Sequence, residues 1–390
     1  SMSRSADVVI IGGGVMGLFA AWYLAEQGAG DIVVLEKRCL GAGSTGKSGA
    51  ILRQHYSHAT TVSMARDSLH FYRGFAERFG IDIGFRQTGM LFTCHEGDRV
   101  SLEANVALQQ GLGVDVEVLD HRGLAELEPR ARYGPEVVGA LEREAGFVDP
   151  SPTLAALAAL LRERGVAVHE STQVVDVELG EGGRVRGERT ADDELIVTDT
   201  VINAGGPWAG IICRRLGVDV PLSVLRPEQA FLKPPSSHGL ECLVSGDLLT
   251  GLYWKPEPAG WTRVGKLAYS EDAVVEDPDD YDEGVSNAFI EFCRSRIAER
   301  IPAYRDAISW GGCSALYTVT PDAHALIGPV SEVPGFYLVS GFSGHGFKMG
   351  PAVGRGLAAL ITGADAGPFD PAFFAVDRFA RGEAVTTSYE

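Results

Sequence analysis

Apolar positions come in unbroken runs near the start of the chain. Val8–Ile11 is such a run, followed by three glycines, a helix-forming stretch at 18–27 closed by Gly28, and a second β-branched run at 31–36 that ends on an acid. Apolar runs without polar alternation predict strands buried on both faces, as in parallel sheets. Strand, glycine turn, helix and strand within about thirty residues make one βαβ unit. Further along, Leu69, Tyr72, Phe75, Ala76 and Phe79 recur at spacings of three and four and predict a helix over 61–79. An Ala/Leu helix is expected over 154–164, entered through Pro150-Ser151-Pro152 and stopped by Gly165. Four short strands are then expected at 166–168, 174–179, 184–189 and 195–202. Residues 219–320 are proline-rich, with short aromatic strands and one helix at 285–300, and the acidic run at 276–283 reads as a solvated loop. A buried-type strand at 335–339 leads into a glycine-rich segment and a helix to 361.

This order predicts an α/β chain in which a Rossmann-like nucleotide-binding domain is interrupted by a strand-rich second domain. The expected division gives 1–84, 148–218 and 321–390 to the first domain, the last including a C-terminal tail. It gives 85–147 and 219–320 to the second. At 390 residues the chain is long enough for two or three domains of ordinary size. The formal charge of −18 repels phosphate backbones and anionic lipid, which argues against nucleic-acid and membrane-surface roles. The uncharged stretch 8–25 could pass for a signal peptide, but its three glycines interrupt it. Six scattered cysteines (Cys39, Cys94, Cys213, Cys242, Cys293 and Cys313) form no C-x-x-C pair and read as reduced thiols of a cytoplasmic protein. His55 and His58 have no carboxylate or Cys partner at ligand spacing, so no metal is expected.

Gly12-x-Gly14-x-x-Gly17 fits the dinucleotide fingerprint: one glycine for the turn, one for the approach of a pyrophosphate, one for close helix–strand packing. The phosphate is expected at the helix N-terminus, where free N–H groups and the dipole favour an anion. Glu36 stands where an acid would accept hydrogen bonds from a ribose. A second phosphate motif competes. The segment 41–48, Gly-Ala-Gly-Ser-Thr-Gly-Lys-Ser, matches the P-loop pattern letter for letter. A P-loop springs directly from a strand, however, and here residues 37–40 intervene. That leaves a nucleotide hydrolase as the rival from another class.

Three later segments narrow the reading. Asn203-Ala204-Gly205-Gly206-Pro207-Trp208, Tyr317-Thr318-Val319-Thr320-Pro321-Asp322 and Gly341-Phe342-Ser343-Gly344-His345-Gly346-Phe347-Lys348 together resemble motifs of the glycine oxidase, D-amino-acid oxidase and sarcosine oxidase family of FAD enzymes. The third is similar to the sarcosine-oxidase branch residue for residue. The resemblance implies FAD as cofactor, contacted by Gly12, Gly14, Val15, Met16, Gly17, Glu36, Lys37, Ser44, Thr45, Lys47, Ser48, Gly49, Val174, Ala204, Gly205 and Trp208. From the C-terminal segment it adds Gly341, Ser343, Gly344, His345, Gly346, Phe347 and Lys348. It further implies that Arg53 and Lys348 bind a substrate carboxylate, that Lys266 activates oxygen, that Tyr253 and Tyr317 wall the site, and that His345 is a polar neighbour of the reacting carbon. Three positions depart from the family pattern: Ala50, Ser270 and Ala315 stand where an arginine, a histidine and the flavin-linking cysteine are found. Non-covalent FAD is therefore expected.

The expected activity is oxidation of a secondary or N-alkylated amino acid to an imine, with oxygen as acceptor and hydrogen peroxide as product. Its rivals are a dehydrogenase serving a carrier or partner subunit, and a non-catalytic flavin-bearing subunit. The expected partners are a small amino acid, oxygen, and a partner subunit or a second copy of the chain.

Overall fold

The computed structural model describes residues 4–239, 243–270 and 272–387; Cys242 lies outside them. A six-stranded sheet runs in the order Leu326–Pro329, Phe336–Ser340, Val201–Asn203, Val8–Ile11, Ile32–Leu35, Ala167–His169. All its pairings are parallel except the antiparallel pair at the Leu326–Pro329 edge. The unbroken apolar runs have a simple cause. Val8, Ile10, Ile32 and Val34 pack on the helices Val15–Glu26, Ala59–Arg73, Pro150–Glu163 and Gly350–Thr362, while Val9, Ile11, Val33 and Leu35 face the other way. That second face is covered partly by a four-stranded sheet, through Ile196, Val177 and Val185. Each Val or Ile side chain buried in this way stabilises the fold by roughly 1.5–3 kcal/mol.

An eight-stranded sheet faces the carboxyl ends of these parallel strands. Its order is Ile308–Ser314, Glu228–Lys233, Thr262–Lys266, Leu252–Pro256, Val244–Asp247, Met90–His95, Val137–Glu142, Val116–Leu119. Every pairing in it is antiparallel except that of Val244–Asp247 with Met90–His95. Ala230, Leu232, Leu252, Trp254 and Val264 bury one face of it against the helix Asn287–Arg300. The alternate residues Gln229, Tyr253 and Phe92 lie on the opposite face.

Four expectations are corrected. The helix expected over 61–79 divides into Ala59–Arg73 and Phe75–Phe79, with Gly74 between them. The Ala/Leu helix begins earlier, at Pro150, because Asp149 accepts a hydrogen bond from the Ser151 N–H and proline suits the first helical turn. The single strand expected over 195–202 is two strands, Leu195–Val197 in the four-stranded sheet and Val201–Asn203 in the six-stranded one. The acidic run at 276–283 is a loop but not merely a solvated one. Asp279 pairs with Lys37 and Arg38, and Glu283 with Lys47, so the loop straps the strand-rich half to the glycine-rich half. Among the described residues, no helix is long and apolar enough to cross a membrane.

Candidate active site

A cavity of about 1060 Å³ opens between the carboxyl ends of the parallel strands and the Tyr253 face of the eight-stranded sheet. Every residue expected from the sequence to meet cofactor or substrate borders it, with the exception of Gly17. Gly17 is behind the wall, where a Cβ would stand 1.9 Å from the Gly12 carbonyl oxygen. The helix and the strand turn therefore touch backbone to backbone. Gly12 itself has φ +107°, and a Cβ there would stand 2.3 Å from the Ala204 carbonyl oxygen. Only glycine holds that conformation at that distance.

The helix Val15–Glu26 starts at this turn with no side-chain cap and no acid in its first turn. Its positive pole faces the cavity, with no acid of its own helix in the first turn. Thr45 Oγ1 accepts from the Val15 N–H at 3.2 Å. Glu36 is held by two backbone donors, Gly13 N–H on Oε2 at 2.9 Å and Arg38 N–H on Oε1 at 2.8 Å. A glycine cradle, a helix N-terminus that borders the cavity and an acid fixed beside it suit a dinucleotide. They do not suit a P-loop: Thr45–Lys47 forms one 3₁₀ turn and opens no α-helix. The Lys47 ammonium is bound to Tyr281, Glu283 and the Ser314 carbonyl.

Charged and aromatic side chains gather at the other end. The Arg53 guanidinium stacks over the Tyr56 ring at 4.3 Å. Tyr56 Oη lies 3.2 Å from His345 Nδ1, and His345 Nε2 is 2.8 Å from the Ala323 carbonyl oxygen. A carbonyl only accepts, so Nε2 carries the proton and Nδ1 accepts from Tyr56. Burial and the nearby Lys348 charge hold His345 well below the usual histidine range, so it is neutral. Lys348 is buried, donates to the His345 carbonyl at 3.3 Å, and is pushed well below the usual lysine range by burial and by Arg53. Tyr253 and Tyr317 share a hydrogen bond, and burial pushes both phenols up. Ala50 (φ 49°) and Ser343 (φ 51°) border the cavity in the left-handed region, a cost tolerated mostly at functional sites.

Lys266 borders the cavity at the end of its strand, on the same sheet face as Leu252 and Val264, and its ammonium sits 5.3 Å over the Phe292 ring of the covering helix. No cysteine is among the described residues that border the cavity, and Ala315 is. No described group of His, Cys, Asp and Glu is disposed to hold a metal.

A family model described as DAO, FAD dependent oxidoreductase, matches residues 7–360. The chain belongs to that family. This DAO-family oxidoreductase is 29% identical to 4-methylaminobutanoate oxidase (formaldehyde-forming) of Paenarthrobacter nicotinovorans, over 95% of this chain but only 45% of that protein. The chain thus spans less than half the length of that relative. It is 28% identical to glycine oxidase of Pseudomonas putida (95% and 98% covered) and 26% identical to peroxisomal sarcosine oxidase of Mus musculus (91% of both). Among solved structures, L-proline dehydrogenase from P. horikoshii superposes with a TM-score of 0.88 at 27% identity, covering 98% of this chain and 100% of that one. FAD is therefore the cofactor of this DAO-family protein.

Several residues of the site escape sequence reading. Tyr269 packs edge-on to Tyr317 with ring centroids 6.3 Å apart, Phe92 borders the cavity, and Glu142 lies buried behind Arg53. No motif or spacing marks Glu142. A lone acid ending an apolar strand is a signal only once the strand is known to be internal to its sheet.

Proposed function

We propose that the protein oxidises a secondary or N-alkylated amino acid to an imine, with oxygen as the electron acceptor. The observation that carries this is the Arg53–Lys348 pair: two basic side chains border one pocket, and burial together with the Arg53 charge makes the Lys348 charge costly. A substrate carboxylate relieves that repulsion, and the guanidinium fork suits it. Bound FAD supplies the two-electron oxidant. Gly12, Gly14 and the helix N-terminus would hold its pyrophosphate and Glu36 a ribose hydroxyl. Lys37, Ser44, Thr45, Lys47, Ser48, Gly49 and Val174 would complete that wall. Ala204, Gly205, Trp208 and the 341–348 segment would hold the flavin end, without a covalent link because Ala315 offers no thiol.

Arg53 and Lys348 aim the substrate by its carboxylate, a proximity contribution. Tyr253 and Tyr317 wall the pocket and exclude water. His345 has both ring nitrogens engaged and is neutral, so it offers polarity beside the reacting carbon rather than a free base. The substrate loses two electrons and two protons, oxygen takes up both to give hydrogen peroxide, and water then hydrolyses the imine. Support for a secondary amine comes from the relatives, whose names refer to sarcosine, methylaminobutanoate and proline. The test is anaerobic mixing of yellow holoenzyme with sarcosine, L-proline, N-methyl amino acids and their descarboxy amines. Bleaching by the acids alone is expected; equal bleaching by the plain amines overturns the anchor assignment.

A second reading, a dehydrogenase, is favoured by the Lys266 ammonium over Phe292 and by the likeness to L-proline dehydrogenase. Reduced enzyme that reoxidises rapidly with a dye and slowly in air would establish it. Lys266→Met slowing only the reaction with oxygen would establish the oxidase.

A further inference from the structure

Glu142 ends the strand Val137–Glu142 in the interior of the eight-stranded sheet, and it is 2% exposed. Its carboxylate grips the residue next to Arg53. The Gln54 N–H donates to Oε1 at 2.7 Å and to Oε2 at 2.9 Å, and Gln54 Nε2 donates to Oε1 at 2.9 Å. The 53–55 segment also presents the Arg53 charge and the His55 backbone N–H to this carboxyl, and the 347–349 turn presents Lys348. Its partners across the two flanking strands, Met90 and Val116, are apolar. Glu142 does not border the cavity. It acts on the ligand pocket only through the two cations.

We infer that Glu142 is a positioning residue with an adjustable charge: it fixes the Arg53 segment in either protonation state, and when ionised it opposes the pull of Arg53 and Lys348 on a carboxylate. The clamp and the charge separate because Oε1 keeps both Gln54 donors whether or not Oε2 carries a proton. Burial pushes this carboxyl up to about 7, against the lowering effect of Gln54 and Arg53. The charge therefore changes in the neutral range. The sign follows directly. Below that range Glu142 is neutral, the anchors act unopposed and a carboxylate is held more tightly. Above it, the ionised Glu142 offsets the two cations and the ligand is held more weakly. By linkage, a carboxylate that binds must raise the proton occupancy of Glu142.

The inference rests on the proposed carboxylate anchors, and the experiment separates the two. The probe is cyclopentanecarboxylate, proline-shaped but without a titrating amine, followed by its perturbation of the flavin absorption in the holoenzyme. Wild type should bind it about tenfold more weakly at about pH 8.5 than at about pH 6, the loss expected when one unit of pKa coupling is removed. Lys348, itself held well below the usual lysine range, can also lose its charge as pH rises. Glu142→Gln is therefore compared with the native carboxyl in a Lys348→Met background. It keeps an Oε1 acceptor but cannot ionise, so its affinity there should be the same at both pH values. A variant that keeps the wild-type pH dependence, or a pH-independent wild type, overturns the inference and leaves the anchors standing. Failure of the probe to bind at any pH overturns both. Should Glu142→Gln not hold flavin, infrared difference spectra of wild type at about pH 7 decide instead. The carbonyl band of a protonated buried carboxyl should grow when the probe binds, and its constancy overturns the inference.

Discussion

The two ends of the cavity are built from different materials. The end proposed for the dinucleotide is made largely of backbone: glycines at van der Waals limits, a helix terminus, and a carboxylate held by two main-chain N–H groups. The end proposed for the substrate is made of side chains: Arg53 beside two buried charges, Lys348 and Glu142, each of which is shifted by burial and by its charged neighbours. A backbone site depends on shape and fails by steric clash. A side-chain site depends on electrostatics and changes by degree.

The largest expected effect follows from that contrast. Gly17→Val would force a side chain into the space within 1.9 Å of the Gly12 carbonyl oxygen. No rotamer relieves a backbone clash, so the helix must move away from the strand and the phosphate cradle opens. The variant should purify colourless, with flavin fluorescence showing no uptake of added FAD. A yellow Gly17→Val protein would mean that the contact is looser than the geometry requires.

The same contrast explains what could be read in advance. Glycine spacing at 12–17 and acid placement at 36 are local, so the strand, the glycine turn and the helix start were legible within thirty residues. The βαβ unit and the strand-rich character of 219–320 were legible because hydrophobic periodicity is local too. The Arg53, Lys348 and His345 positions came only through family resemblance, since nothing in their spacing joins residues some 300 apart. Glu142 and the Asp279 strap were not legible at all. One depends on which strand is internal, and the other on which loop crosses the cavity mouth. The break at Gly74 and the split of 195–202 are cases where continuous local pattern was overruled by tertiary geometry.

Glu188 provides a control for Glu142. It is fully buried opposite Ile196, beneath the dinucleotide unit, and neither carboxyl oxygen has a partner. Burial pushes it from the ordinary 4.5 to about 8. A group raised on folding stabilises fully below its unfolded value, and that contribution is lost as pH rises through the folded value. Between about pH 4.5 and pH 8 the protein should lose on the order of 5 kcal/mol through this one group. Glu188→Met removes the titration at similar volume. Its melting temperature should exceed that of wild type by several degrees at about pH 9, with the gap narrowing towards pH 5. Parallel melting curves across pH would show that burial alone does not move carboxyls here, and the substrate end would then owe its shifts to specific partners.

Smaller, but aimed at the substrate end itself, are Arg53→Ala and Lys348→Met. Losing one partner of a desolvated charged contact typically costs about 2–5 kcal/mol. Each variant should therefore bind a carboxylate substrate at least about tenfold more weakly, equivalent to about 1.4 kcal/mol. Both should stay yellow. A substrate amide, already poor with wild type, should lose little more in either variant. Equal losses for acid and amide would make these residues scaffold and erase the distinction between the two ends.

The smallest effect concerns the strap that joins the strand-rich half to the glycine-rich half. Lys37 Nζ lies 2.6 Å and Arg38 Nη2 3.0 Å from Asp279 Oδ1, and the Asp279 side chain is 41% exposed. Exposed pairs of this kind are weak and screened by salt. They matter here by location, since Lys37 also lies 4.5 Å over the Trp208 ring, and Lys37, Trp208 and Asp279 all border the cavity. Asp279→Asn should leave thermal stability almost unchanged and speed flavin dissociation by about twofold to fivefold, the kinetic equivalent of one exposed pair. Raising the ionic strength should speed dissociation from wild type in the same way and have little further effect on the variant, because the charge that salt would screen is already gone. A wild-type dissociation rate that ignores salt would show that the strap does not close the cavity, and that the backbone cradle alone retains the cofactor.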